Sequence, residues 1–265
     1  MAARSGSETP FKSRSIFRSA KLVKQWVSIM ATRYAVYFVP GADTALWRFG
    51  CEVLGRDAYS GEDVAQWHPP GYAAETWHAM TADPRFYGFH ATLKAPFRLA
   101  EGRDEAGLVA ALAAFARKRK PVDLGPRTIR PIPSSNPDRA FLALVPASPP
   151  PCLADLEGAI VRHFDDWRAA LTPAEIERRN PGRLNERQRR YLDAHGYPYV
   201  LEEFRFHMTL TAAVEGAAAL APLLSSRADA VNVEPSLAVD RLALFRQDDG
   251  GDFRIVEVAP LGGGD

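Results

Sequence analysis

The chain has 265 residues, enough for one large domain or two small ones around a substantial core. Apolar and charged fractions of 46% and 25% are those of an ordinary globular protein, not of a disordered or fibrous one. The formal charge of +1 is unevenly spread. Residues 1–29 carry Arg4, Lys12, Arg14, Arg18, Lys21 and Lys24 against Glu8, which leaves the remainder at −4 and disfavours a broad basic platform for nucleic-acid duplexes.

Residues 1–29 are Ser-rich and nearly acid-free, superficially like a transit peptide, and are read as a disordered basic extension ahead of a single domain over residues 31–262. Arg33–Val39 predicts a strand stopped by Pro40, followed by a helix capped by Asp43 or Thr44. Residues 56–86 read as irregular, with Pro69-Pro70-Gly71 and Asp83-Pro84 as breakers and a short helix near Ala73–Met80. A strand ending at Pro96 precedes a helix over Asp104–Arg119, and Thr128–Ile132 and Arg139–Val145 predict two strands joined by a turn-rich loop.

Beyond Pro149-Pro150-Pro151, the residues Leu153, Leu156, Ile160, Phe164, Trp167 and Leu171 fall at helical spacing. Thr172-Pro173 caps a charged segment that reaches Gly196 and is interrupted by Pro181-Gly182. A strand over 203–213, a helix over Gly216–Ser225 and a hairpin of Asp240–Gln247 with Phe253–Val258 complete the order. No apolar run reaches the about 20 residues that span a bilayer, so no membrane partner is expected. Cys51 and Cys152 lack Cys-x-x-Cys spacing, which gives no zinc framework and fits a reducing, cytoplasmic setting.

Two strings carry the chemistry: Tyr87-Gly88-Phe89-His90-Ala91-Thr92-Leu93 and Phe204-Arg205-Phe206-His207-Met208-Thr209-Leu210. Read as strands, each puts His and Thr on one face and apolar residues on the other. Two imidazoles and two hydroxyls could therefore meet across a cleft. One histidine would act as base and the other as acid on a phosphodiester, with an ordinary pKa of about 6.5 suited to both tasks. The threonines would donate to the non-bridging oxygens, where charge grows.

The doubled His-x-Thr-Leu resembles the 2H phosphoesterase superfamily, named for two His-x-Ser/Thr-x motifs. The longer strings 87–97 and 206–211 resemble its branch associated with bacterial phosphonate-utilisation genes. The likeness runs from about Arg33 to about Leu261 and carries over to His90, Thr92, His207 and Thr209. It implies an α+β, bilobal fold: two mostly antiparallel sheets facing a central cleft, with helices outside. It also implies a phosphodiesterase that uses no cofactor or metal on a cyclic phosphodiester or similar small phosphorylated, nucleotide-like substrate. No obligate protein partner is implied.

By strand alternation Lys94, Arg205 and Thr211 join the motif face as candidate substrate contacts, with salt-bridging or structural roles as their alternatives. Tyr37 and Tyr87 could stack on a base or sugar, although core packing suits them better. His68, His78, His163 and His195 show no zinc-type spacing. The run Arg178-Arg179, Arg183, Arg187 and Arg189-Arg190 reads as a solvated helical face. Three rival functions remain open at this point: opening of 2′,3′-cyclic phosphates on RNA ends, a non-catalytic nucleotide or phosphate sensor, and a metal hydrolase built on His90 and His207.

Overall fold

The computed structural model describes residues 32–262, and the extension expected over 1–29 lies outside them. Arg33–Phe38 forms the first strand (β1), buried at every position after the first. Helix Ala45–Leu54 (α1) opens at Thr44, whose hydroxyl accepts from the Trp47 N–H. Its buried face carries Leu46, Trp47, Phe49, Val53 and Leu54.

The next helix, Ala74–Tyr87 (α2), runs through Pro84, a residue that reads as a breaker in the sequence. Proline offers no N–H to the carbonyl four residues back, here that of Met80. That carbonyl instead accepts from the Ala212 N–H at 2.7 Å. The helix thus exchanges an internal bond for one to the second motif segment.

Ala91–Phe97 (β2), Glu105–Arg117 (α3) and Ala140–Pro146 (β4) follow much as the sequence predicts, whereas Val122–Pro133 (β3) begins well before the expected Thr128 because its first half pairs with Ser236–Val239. Helix Pro151–His163 (α4) ends before the predicted apolar series is complete. Trp167 falls in a short 3₁₀ turn, where Asp165 directs its carboxylate to Lys94 and Arg168. Helices Pro173–Arg178 (α5) and Glu186–His195 (α6) each start with a capping box, Thr172 with Glu175 and Asn185 with Gln188.

The strand expected over 203–213 contracts to Met208–Thr209 (β5). Upstream, Leu201–Glu203 is a 3₁₀ turn. Downstream, the Leu210 and Thr211 N–H groups both point to the Leu142 carbonyl, while the Thr211 hydroxyl accepts from the Leu142 N–H. A regular ladder stops there. Ala217–Ala230 (α7), Ser236–Val239 (β6), Arg241–Gln247 (β7) and Arg254–Pro260 (β8) complete the fold, β6 being absent from the sequence expectation.

The class is α+β, and every strand pairing is antiparallel. The strand order is β6-β3-β4-β5-β2-β1-β7-β8, so the two expected sheets are joined as one. Each half of the chain lends its hairpin to the other: β3–β4 lies beside β5, and β7–β8 lies beside β1. This exchange leaves the motif strands β2 and β5 as neighbours at the centre. Behind the motif face, Phe89 packs over α1, Lys94 reaches α4, and Phe206 lies 6.0 Å from Phe38.

Candidate active site

Ala91 of β2 pairs with Met208 of β5 in an antiparallel register. His90 is therefore across from Thr209, and Thr92 across from His207. Direct neighbours in such a pair have Cβ atoms about 5 Å apart and diagonal ones about 7 Å. The two histidines form a diagonal pair, at a spacing suited to flanking an anion a few ångströms wide. Both lie on the same face as both threonines.

The imidazoles are held alike. His90 Nδ1 lies 2.9 Å from the Gly88 carbonyl, and His207 Nδ1 lies 2.7 Å from the Arg205 carbonyl. A carbonyl can only accept, so each Nδ1 carries hydrogen and each Nε2 is left as the acceptor. The Thr92 hydroxyl lies 3.2 Å from His90 Nε2 and donates to it. Gly88 reaches its position with φ 76° and ψ 174°, a region essentially reserved for glycine, and a Cβ there would meet Ala58 at 2.7 Å.

Tyr37 stacks under His90 with ring centroids 3.8 Å apart and planes at 21°. Burial pushes the His90 imidazole down to about 4, against the pull of the Gly88 carbonyl, and nearby His207 lowers it further. Burial also lowers His207, partly offset by its bond to Arg205. Both rings are thus biased to the neutral form.

The four motif side chains open onto two cavities. Thr92 and His207 line one of about 860 Å³, and His90 and Thr209 line one of about 230 Å³. Phe141 lines both, and its ring centroid is 5.6 Å from that of His207. Tyr87 reaches the smaller cavity, stacked on Phe253. Arg205 reaches the larger one with its guanidinium on the Glu202 and Phe204 carbonyls.

Three sequence candidates are placed differently. Tyr37 is 1% exposed and supports His90 from below, so it offers no face to a substrate. Thr211 borders the smaller cavity but is fully buried and engaged with Leu142. Lys94 is 3% exposed and turned to the opposite side of the sheet, where Nζ bonds the Val161 carbonyl and the Asp165 carboxylate at 3.1 Å. The cause is a bulge: Tyr37 pairs with Thr92 but Val36 with Lys94, so one extra residue breaks the alternation.

The larger cavity also holds residues to which sequence gave no role. Arg179 and Arg183, expected on a solvated helical face, line it with Tyr197 and Tyr199. Arg179 lies over the Tyr197 ring at 4.9 Å. The Arg/Glu alternation of the segment gave no hint of this, since the placement depends on how the segment after α4 folds back. Glu157 of α4 also borders the cavity; burial pushes its carboxyl up to about 7. Among the described residues, no group of three or more His, Cys, Asp or Glu could hold a metal ion, and no helix is long and apolar enough to cross a membrane.

The chain is 43% identical over 183 residues to "Ribose 1,5-bisphosphate phosphokinase PhnN" of Janthinobacterium sp. (strain Marseille), covering 69% of this chain and 39% of that protein. It is 35% identical over 234 residues to the protein of the same name from Laribacter hongkongensis (strain HLHK9), covering 86% and 52%. The chain therefore spans about half the length of these relatives or less. Among solved structures, E. coli LigT complexed with NADP+ aligns with TM-score 0.38 and 14% identity, over 87% of this chain and 98% of that one. TT0787 of Thermus thermophilus aligns with TM-score 0.41 and 15% identity, over 88% and 100%. The family model described as "Protein of unknown function (DUF1045)" matches residues 92–254, and the chain belongs to that family.

Proposed function

We propose that this chain is a phosphoesterase of the two-histidine type, acting on a cyclic phosphodiester of a small sugar phosphate. The observation that carries the reading is the β2–β5 register, which sets His90 diagonal to His207 with a threonine opposite each. His90, the more strongly held neutral, takes a proton from the attacking water through Nε2. The new P–O bond forms as the ring P–O bond breaks, and His207, protonated at Nε2 once the anionic phosphodiester binds beside it and offsets the burial that otherwise keeps it neutral, delivers that proton to the departing oxygen. Thr92, whose hydroxyl turns from His90 Nε2 to the substrate on binding, and Thr209 donate to the non-bridging oxygens. Each proton transfer contributes about 10²–10⁴ in rate, and the scheme is complete without a metal.

The relatives' name supports a ribose phosphate as substrate. Their kinase activity does not carry over, because this sequence contains no Gly-Lys dipeptide and hence no P-loop. Opening a 1,2-cyclic phosphate of 5-phosphoribose at the O2 side would yield ribose 1,5-bisphosphate, the compound in that name. Such a reaction belongs to phosphonate metabolism, as the branch resemblance implies. The test is turnover, with chelator present, of a panel: this cyclic phosphate, 2′,3′-cyclic nucleotides and a cyclic-phosphate-ended oligonucleotide. Preference for the ribose compound supports the reading. Turnover of the oligonucleotide alone would reassign the protein to RNA ends, and binding without turnover would make it a sensor.

A further inference from the structure

The larger cavity, at about 860 Å³, has room for far more than the reacting phosphoryl group. Besides Thr92 and His207, its wall carries Arg179 and Arg183, together with Arg205, which stands two residues before His207 and whose carbonyl holds His207 Nδ1. Among the described residues, Arg179, Arg183 and Arg205 have no carboxylate partner, unlike Arg98 with Glu175, Arg168 with Asp165 or Arg187 with Glu203. Other arginines, such as Arg48, Arg130 and Arg139, also lack one, but they do not line this cavity. Arg205 bonds only backbone carbonyls. The Arg179 Cζ lies 4.9 Å from the centroid of the Tyr197 ring, a cation–π contact that helps to hold the guanidinium at the cavity wall.

The two carboxylates on the same wall are occupied. Glu203 takes Arg187 and Gln188, and buried Glu157 accepts from the Leu201 N–H. Three unmatched guanidiniums facing one cavity form a strong site for a phosphate dianion, which arginine binds through paired N–H groups.

We propose that Arg179, Arg183 and Arg205 form a second anion subsite in the larger cavity that holds a terminal phosphate of the substrate, distinct from the phosphodiester between the histidines. This rests on the phosphoesterase reading and deepens it: the substrate is a bisphosphate-type molecule whose unreacting phosphomonoester anchors it. Anchoring at one end positions the reacting end, and binding energy from a remote group is spent in that way.

The test is equilibrium binding by calorimetry of two product-like ligands, ribose 1,5-bisphosphate and ribose 1-phosphate, which differ only in the remote phosphate. The wild-type chain is expected to bind the bisphosphate at least thirtyfold more tightly. In the triple variant Arg179→Gln, Arg183→Gln, Arg205→Gln, with an unchanged circular-dichroism spectrum, that ratio falls to below threefold. A ratio near one in the wild type, or a ratio unchanged in the variant, would overturn the proposal. So would tighter binding of a dinucleotide 2′,3′-cyclic phosphate than of the bisphosphate, which would assign the arginines to a nucleic-acid backbone. Because the readout is binding, it judges the subsite even where no cyclic phosphate is turned over, an outcome that would count against the phosphoesterase reading alone.

Discussion

Replacing Gly50 with alanine couples the helical face of the sheet to the site. Gly50 lies in α1 directly beneath Phe89, the residue before His90. A Cβ at position 50 would sit 2.0 Å from Phe89 Cδ1 and 2.2 Å from Cγ. Ordinary carbon contacts are about 3.5–4.0 Å, so the ring must retreat by about 1.5 Å. Phe89 is fully buried, and a close-packed interior offers little room for the ring to move. Alanine gains about 1 kcal/mol of helix propensity over glycine. Overpacking a core costs about 1–3 kcal/mol, and a clash this deep belongs at the upper end. The net expectation is destabilisation by about 2 kcal/mol, read as a lower urea midpoint at unchanged slope. Movement of Phe89 shifts His90, and kcat on the cyclic ribose phosphate should fall at least about tenfold, since misplacement by 1 Å can cost about 10². A Gly50→Ala protein that is more stable by about the propensity gain of 1 kcal/mol, with unchanged kcat, would show that Phe89 does not couple α1 to the site.

Two further predictions concern buried ionisable groups. Lys94→Met removes a cation that pairs with Asp165 on the far side of the sheet, while Arg168 still serves that carboxylate. It should lower stability by about 1–3 kcal/mol and leave kcat/KM within twofold; a loss of kcat/KM beyond tenfold in a folded variant would return Lys94 to the substrate. For His90, the folded value of about 4 lies below the unfolded value of 6.5. The unfolded chain therefore binds more protons between these values, and the stability that neutral His90 permits is lost as pH falls from 6.5 towards 4. Urea midpoints at pH 7 and 4.5 should show wild type losing about 2–3 kcal/mol more than His90→Ala; parallel losses would show that His90 is not held neutral.

What could be read from sequence was local. Thr44 caps a helix through its own neighbour's N–H, and the His-x-Thr strings show which side chains share a face over three residues. What could not be read was set by distant partners. The Leu93 bulge arises from pairing of β2 with β1, and it turned Lys94 from a candidate ligand into a core ion pair. Pro84 reads as a breaker until Ala212, far along the chain, takes over the carbonyl it frees. The strand expected over 203–213 shortened because Thr211 spends its hydroxyl on Leu142. Even the juxtaposition of the motifs needed the exchange of hairpins between halves, which no spacing encodes. Arg179 and Arg183 were hidden for the same reason: a charged helical segment looks solvated until a cavity is found beside it.

In the proposed mechanism His90 and His207 act on one phosphorus atom across the β2–β5 seam. This is tested most directly by steady-state turnover of 5-phosphoribose 1,2-cyclic phosphate, followed by ³¹P NMR, in wild type, His90→Ala, His207→Ala and the double variant. Each single change should lower kcat/KM by at least about 10². Because the two residues act as a unit, the double variant should lose far less than the product of the single losses. A single variant that keeps more than a tenth of wild-type kcat/KM would contradict the account.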